Sequence, residues 1–307
     1  MSCRPAGIFV GQTQNGMTEA EKQAKKNQFH PLVFGALYSG IDRGLKADVL
    51  AAGALGGSAL PVCTAIIVAS HGKVTEVLEV PTDSIDSQLG HLLELTRPDC
   101  VKIGIVGNAA TAELIFRRLS KQFSGPIIFD VTLSGPSGED LAGRQTVEVM
   151  REAMSMPDLV TLRRFDASRL TGMQIDSLDD AQVAVQRIKL MGARSILLRL
   201  GSLPGRFFEA DETPPASSYD LFFDGNDFSL FEAPRQDGIQ PYGASSVYLM
   251  ALLLRLERNG NMIEAIQFAK SFVSEALRSA KARAIHDAAD YFWKLRNEAQ
   301  TGDRIVE

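Results

Sequence analysis

Short apolar runs alternate along the chain with longer stretches in which apolar residues recur every three or four positions. The short runs are rich in β-branched residues and predict strands, whereas the longer spacing predicts amphipathic helices. Ile85, Leu89 and Leu92, for example, share one helical face. The pattern predicts strands at 31–35, 62–69, 101–106, 127–130, 159–162, 195–200, 219–223 and 228–232. It predicts helices at 44–54, 85–95, 110–123, 146–154, 179–191, 245–256 and 262–280.

This alternation of strands and helices is typical of βαβ units, and it predicts an α/β fold with a mostly parallel sheet. Asp224-Gly225-Asn226-Asp227 lies between the last two predicted strands and indicates a hairpin turn. In open α/β sheets the ligand binds beyond the carboxyl ends of the strands. Functional residues are therefore expected at the ends of the predicted strands.

Length and composition narrow the class of protein. A chain of 307 residues with 45% hydrophobic residues is long enough for one large domain with a sizeable core. The net charge of −5 argues against a nucleic-acid partner, whose phosphates attract a basic face. The three cysteines form no C-x-x-C pair, so we expect a reduced, cytoplasmic protein without a zinc site. No apolar run is long enough to predict a membrane partner.

Two segments flank the predicted domain. Residues 1–30 contain a capping-box match and predict an N-terminal extension with a polar helix. Residues 282–307 predict an amphipathic C-terminal extension, on which Phe292 and Trp293 contribute to an aromatic face. This face either docks on its own domain or contacts a second subunit, so a homodimer remains open.

Three motifs between residues 31 and 281 carry a family resemblance. They are Gly44-Leu45-Lys46-Ala47-Asp48, Val101-Lys102-Ile103-Gly104-Ile105-Val106-Gly107-Asn108, and Asp224-Gly225 followed by Phe231-Glu232-Ala233-Pro234-Arg235 and Asp237. In this order the chain resembles the hydroxymethylpyrimidine/phosphomethylpyrimidine kinases of the ribokinase-like superfamily. The resemblance implies a ribokinase-like domain over 31–281, with a central sheet of about eight strands and helices on both faces. It also implies ATP-dependent phosphorylation of a hydroxymethyl group on a small heterocycle in thiamine biosynthesis, with ATP and Mg²⁺ as cofactors.

The same resemblance points to the residues that transfer the phosphate. The family has a G-T-G-C loop at a helix start, and the matching positions here are Gly243, Ala244, Ser245 and Ser246. Backbone N–H groups at a helix start attract anions, so the loop is expected to hold the phosphate in transfer. Ser246 takes the place of the family's base, although a serine hydroxyl is a poor base unless another group activates it. The alternative is an ordinary helix start capped by serine.

For the alcohol, the resemblance implies a site made from Gly44, Asp48, Ala69 and His71. Asp48 matches the aspartate that contacts the pyrimidine in the family. Ala69 stands where the family has a glutamine that reads the pyrimidine, and this change predicts altered specificity. His71 follows the same strand and is a candidate base, with an unpartnered loop histidine as the alternative.

For ATP, the resemblance implies contacts from Asp130, Arg163, Asp166 and Arg199, with Asp130 and Asp166 as the metal ligands. Arg163 replaces an asparagine of the family, and a guanidinium binds phosphate through two parallel hydrogen bonds. Arg163 and Arg164 alternatively are solvated loop charges. Lys102 is also kept, with a purely structural role at a strand end as its alternative.

Two hypotheses about function follow. The first is an active ATP-dependent kinase for a small-molecule alcohol, supported by the order of the motifs. The second is a catalytically degenerate homologue that serves as a ligand-binding, regulatory or partner subunit. It is supported by the changes at Ala69, Arg163, Arg199, Ser245 and Ser246.

Overall fold

A nine-stranded sheet forms the centre of the part of the chain that the computed structural model describes, residues 29–39, 43–70, 72–201, 217–235 and 243–279. The strands are β1 (Pro31–Ser39), β2 (Leu60–Ser70), β3 (Lys73–Glu79), β4 (Cys100–Ile103), β5 (Ile127–Val131), β6 (Leu159–Arg163), β7 (Ile196–Gly201), β8 (Ser217–Phe223) and β9 (Phe228–Pro234). The helices are α1 (Gly44–Ala54), α2 (Thr82–Leu95), α3 (Ala109–Gln122), α4 (Arg144–Glu152), α5 (Arg164–Thr171), α6 (Leu178–Leu190), α7 (Ala244–Asn259) and α8 (Met262–Ser279).

The strand order is β3-β2-β1-β4-β5-β6-β7-β8-β9. The six strands from β2 to β7 in this order pair in parallel, while β3 at one edge and the β8–β9 hairpin at the other pair antiparallel. The α/β class and the mostly parallel sheet are therefore confirmed. The sheet has one strand more than the eight expected, and the additional strand is β3.

Alternating strand residues divide the apolar core between the two faces of the sheet. In β1, Leu32 and Phe34 pack on one face together with apolar residues of α2 to α6. Val33, between them, packs on the other face with apolar residues of α1, α7 and α8. Because both faces are covered, the central strands read as continuous apolar runs. Helices α1 and α7 pack against each other on the second face.

Two elements were not predicted from the sequence. Strand β3 is exposed at nearly every position, so its residues show no apolar alternation. Helix α5 begins directly after β6, without a glycine or proline to mark its start. It is nevertheless anchored, because Ala167 and Leu170 are fully buried.

The two predicted extensions, 1–30 and 282–307, lie almost entirely outside the described residues, which begin at 29 and end at 279. Their predicted helices therefore remain predictions. Within the described part of the chain, no helix has both the length and the apolar character that a membrane span requires.

Candidate active site

A cavity of about 750 Å³ opens at the carboxyl ends of the parallel strands. Residues from the ends of β1, β4, β5, β6 and β7 line it, together with the start of α1, the start of α7 and one side of α8. Its lining includes seven basic residues and three acidic ones, although the whole chain carries a net charge of −5. The basic residues are Arg43, Lys102, Arg163, Arg164, Arg199, Arg235 and Lys270, and the acidic ones are Asp48, Asp130 and Asp220.

Helix α7 begins at the wall of this cavity. Gly243 is its N-cap residue and has a φ of +79°, a left-handed conformation that glycine adopts without strain. Ala244, Ser245 and Ser246 form the first turn and also line the cavity. No side chain of the described residues caps the helix, so Ser246 is not the capping serine of an ordinary helix start. The first N–H groups of a helix have no partner within it and are available to an anion.

The predicted alcohol-site residue Asp48 lies in a buried cluster with Lys102 and Ser246. The Lys102 Nζ donates a hydrogen bond of 2.5 Å to Asp48 Oδ1, and Asp48 and Lys102 are only 1% and 4% exposed. Burial raises the pKa of Asp48, while the Lys102 charge and hydrogen bonds from Lys102 and Ser246 oppose that rise. The structure thus brings a predicted substrate residue and the predicted base position together.

Gly44, at the start of α1, is fixed by close packing. Its φ is +56°, and a Cβ at this position would lie 2.3 Å from the carbonyl oxygen of Ala36 in β1. The resulting close approach of α1 to β1 brings the first turn of α1 to the cavity, where Gly44 and Asp48 both line the wall. The glycine of the first motif is therefore a structural requirement of the site.

A second ion pair lies beside the start of α7. Arg199 Nη2 donates a hydrogen bond of 2.5 Å to Asp130 Oδ1, and both side chains are largely buried. The same guanidinium donates from Nη1 to the hydroxyl of Ser245. All three residues line the cavity, so the structure brings together three of the residues predicted for phosphate transfer.

Asp166 lies differently from Asp130. One of its carboxylate oxygens accepts hydrogen bonds of 3.0 Å from the backbone N–H groups of Leu133 and Ser134. The other accepts a 2.7 Å hydrogen bond from Arg163 Nε. Asp166 is fully buried and does not line the cavity, whereas Arg163 does. The carboxylate therefore ties α5 to the segment after β5, and both of its oxygens are occupied by protein donors.

The other two predicted alcohol-site residues do not join this cluster. Ala69 pairs with Val74 of β3 and packs against a small apolar cluster rather than lining the cavity. His71 lies outside the described residues. Among the residues that are described, no group of three or more histidine, cysteine, aspartate or glutamate side chains forms a metal site.

The cavity wall contains a third buried ion pair, which the sequence patterns did not predict. Lys270 Nζ on α8 donates a 2.9 Å hydrogen bond to Asp220 Oδ2 on β8. Nearby, burial and the Asp220 charge raise the pKa of Tyr248. A signal was present in the sequence, because Asp220 interrupts an apolar strand and Lys270 lies one turn after the buried Ile266. A charged residue at a core position requires a partner, and here the two provide it for each other.

Comparison with known proteins places this arrangement in a family. The sequence profile of the family described as phosphomethylpyrimidine kinase matches residues 40–289. The hydroxymethylpyrimidine/phosphomethylpyrimidine kinase of Aquifex aeolicus (strain VF5) is 31% identical over 239 residues, which are 78% of this chain and 90% of that protein.

Solved structures share the fold at lower identity. The pyridoxal kinase from Staphylococcus aureus, in complex with AMP-PCP and pyridoxal, superposes with a TM-score of 0.70 at 21% identity, over 82% of this chain and 88% of that one. The phosphomethylpyrimidine kinase from Clostridium difficile 630 superposes with a TM-score of 0.66 at 21% identity, over 81% of this chain and 100% of that one. The fold is therefore ribokinase-like, and the chain belongs to the phosphomethylpyrimidine kinase family.

Proposed function

We propose that this chain is an ATP-dependent kinase that phosphorylates the hydroxymethyl group of a small heterocycle, with hydroxymethylpyrimidine as the first candidate substrate. The observation that carries the proposal is the cavity at the carboxyl ends of the strands, where a helix start, an excess of basic side chains and a buried carboxylate meet. Its volume lies within the range of about 300–1,000 Å³ that is typical of small-molecule sites.

The phosphate side of the reaction is assigned to the start of α7 and to Arg199. Helix α7 has 16 residues, so the positive end of its dipole and its free N–H groups favour an anion at Gly243 to Ser246. Arg199 is positioned beside this turn by its hydrogen bonds to Ser245 and Asp130. These groups stabilise the charge on the phosphoryl group in transfer, which is the main task of a kinase site.

Mg²⁺ fits this site through Asp130. The ion is usually held by one or two carboxylates together with the phosphates of the substrate, and it keeps several waters. Asp130 lines the cavity and accepts from Arg199 through Oδ1 alone, whereas both oxygens of Asp166 accept hydrogen bonds from Leu133, Ser134 and Arg163. When bound, the ion neutralises charge on the triphosphate. We therefore assign it to Asp130 and leave Asp166 as a structural anchor.

The alcohol is assigned to the wall formed by Gly44, Asp48 and Lys102. Asp48 is a hydrogen-bond acceptor in a dry environment, and such a group selects a substrate that offers a donor. The names of the relatives support the class of substrate, since the Aquifex aeolicus protein is named for hydroxymethylpyrimidine and the Staphylococcus aureus structure contains pyridoxal and AMP-PCP. Each of these two heterocycles carries a hydroxymethyl group.

The test is a product assay with Mg-ATP and a panel of hydroxymethylpyrimidine, its monophosphate, pyridoxal and a simple aliphatic alcohol. We expect a phosphorylated heterocycle, detected by mass spectrometry, and a rise in melting temperature on addition of Mg-ATP. Asp48→Ala is expected to abolish turnover, whereas Ser120→Ala, an exposed position on α3, serves as the unaffected control. Absence of turnover with every alcohol, together with no thermal shift, would contradict the proposal and favour the degenerate homologue.

A further inference from the structure

Three elements place Asp48, Lys102 and Ser246 on one wall of the cavity. Asp48 is on α1, Lys102 on β4 and Ser246 in the first turn of α7. Helices α1 and α7 are packed together, and the three side chains are almost completely removed from solvent. Their arrangement is therefore fixed by the core rather than by a mobile surface.

The Ser246 hydroxyl is available to Asp48 because it does not cap helix α7. Gly243 is the N-cap residue, and Ser246 is the third residue of α7. Ser246 lies close enough to Asp48 for its hydroxyl to favour the ionised form of the carboxyl, while Lys102 Nζ donates a 2.5 Å hydrogen bond to Asp48 Oδ1. The Ser246 hydroxyl, at the position expected to act as the base, therefore lies next to the Asp48 carboxylate, which can accept its proton.

The charges around Asp48 suit a proton acceptor. Burial raises the pKa of its carboxyl, and a carboxylate with a raised pKa is a stronger base. Asp130 on β5 acts in the same direction, whereas Lys102 on β4 and the Ser246 hydroxyl on α7 favour the ionised form. The Lys102 charge and the Ser246 hydroxyl thus oppose the effect of burial on this carboxyl.

We propose that Asp48 accepts the proton of the alcohol in the kinase reaction and that Ser246 relays it. The inference rests on the proposed function. In the transfer step the alcohol oxygen attacks the γ-phosphorus of ATP, and a new O–P bond forms as the bond from that phosphorus to the β–γ bridging oxygen breaks and ADP leaves. The alcohol proton passes to Ser246 Oγ, and the proton of Ser246 passes to the Asp48 carboxylate. Asp48 then returns this proton to water after the product leaves.

The proposal also explains how a serine serves where the family has a cysteine. A serine hydroxyl does not ionise near neutral pH, so it cannot act as a base alone. With Asp48 as the final acceptor the serine never carries a negative charge, because it gains one proton as it loses another. Asp48 therefore gains a second role beside the substrate contact that the motif implied.

The first test compares kcat and its pH dependence in the wild type, Ser246→Ala and Ser246→Cys, with Ser120→Ala as the control. We expect Ser246→Ala to lower kcat by about 10²-fold, the lower end of the effect of losing general base catalysis, with KM for ATP little changed. Ser246→Cys keeps a side chain that exchanges a proton and should retain most of the activity. The wild-type kcat should fall on the acid side as Asp48 becomes protonated, and Asp48→Asn, which cannot accept a proton, should lower kcat at every pH.

The second test needs no turnover and follows the Asp48 carboxyl carbon by NMR during an acid titration. Because the hydrogen bond from Ser246 lowers the pKa of Asp48, Ser246→Ala should raise it, whereas Ser120→Ala should not change it. In Asp48→Asn, Lys102 loses its partner and the variant could fail to fold. The NMR titration does not use that variant, so it still tests the relay.

The outcomes separate the relay from the function on which it rests. A wild type that turns over, with Ser246→Ala keeping its kcat and its acid limb, overturns the relay and leaves the kinase proposal standing. An Asp48 pKa that is the same in wild type and Ser246→Ala also overturns the relay. No turnover by the wild type with any alcohol overturns both proposals.

Discussion

At the residue scale, Gly44 is the position where a single methyl group should cost most. In Gly44→Ala the new Cβ would meet a backbone carbonyl at 2.3 Å in a left-handed conformation, so we expect a loss of at least about 1–3 kcal/mol in the free energy of unfolding. Gly53→Ala in the same helix is the matched control. Gly53 is exposed and no atom of the described residues lies within 4 Å of its added Cβ, so that change should stabilise the protein by about 0.5–1 kcal/mol. Urea denaturation of both variants measures the two changes in the free energy of unfolding, which should have opposite signs.

Because of the Asp48–Lys102 ion pair, we expect the effect of a Lys102 substitution on the free energy of unfolding to depend on pH. In Lys102→Met the buried carboxylate loses its partner, so unfolding should become easier by about 3–5 kcal/mol near neutral pH. Burial holds the folded pKa of Asp48 above its unfolded value, and removal of Lys102 raises it further. The loss of stability in Lys102→Met is therefore largest above the folded pKa of Asp48. It decreases as the pH falls through that pKa and the carboxylate becomes protonated.

The measurement is the urea midpoint of Lys102→Met and of the wild type, at about pH 8 and at about pH 5. The gap between the two proteins should be smaller at the lower pH. The double variant Asp48→Asn/Lys102→Met removes both charges and should recover much of the loss. An equal gap at both pH values would show that lost packing of the Lys102 stem, rather than an unpaired carboxylate, causes the destabilisation.

At the scale of elements, the sequence predicted the amphipathic helices and the strands that contain a clear apolar run. It missed β3 because that strand lies at an edge and most of its residues are exposed. It missed α5 because the helix starts one residue after β6 and is positioned by Asp166, a contact made 33 residues away in the chain at Leu133. Local patterns predict elements whose own residues are apolar or amphipathic, but not those that are exposed or held by a distant partner.

Asp166 gives the corresponding test for α5. Asp166→Ala leaves two buried N–H groups, of Leu133 and Ser134, without their acceptor and removes the partner of Arg163. We expect a loss of about 2–4 kcal/mol in unfolding free energy, measured without nucleotide or Mg²⁺. In an Mg-ATP titration the folded variant should keep the Mg²⁺ dependence of the wild type. A variant with unchanged stability and lost Mg²⁺ dependence would instead make Asp166 a metal ligand.

At the scale of the whole molecule, the sequence predicted several residues that line the cavity but not how they pair. Strand ends and motifs pointed to Asp48, Asp130, Arg199 and Ser246, and all four line the cavity. Lys102 pairs with Asp48, which lies 54 residues away in the chain, and Ser246 lies beside them. This arrangement depends on how α1, β4 and α7 pack. Such contacts are a property of the tertiary structure, so the proposed relay could not be inferred from the sequence alone.

The distribution of charge gives the last prediction. The chain has a net charge of −5, yet the described lining of the cavity has seven basic residues against three acidic ones. A basic cavity on an acidic protein attracts a triphosphate through a field that salt screens. Between ionic strengths of about 0.01 M and about 0.15 M the Debye length falls from about 30 Å to about 8 Å, so the affinity for Mg-ATP should fall several-fold.

Adenosine is the matched ligand for this measurement, because it keeps the base and ribose and lacks the phosphates. Its affinity should hardly change over the same range of salt, whereas calorimetric titration should show the loss for Mg-ATP. Arg199→Gln should reduce the salt dependence, since it removes one of the charges beside the start of α7. Equal salt dependence for the two ligands would mean that salt acts on the fold or on the adenosine contacts. The excess of basic residues in the cavity would then have no part in holding the triphosphate.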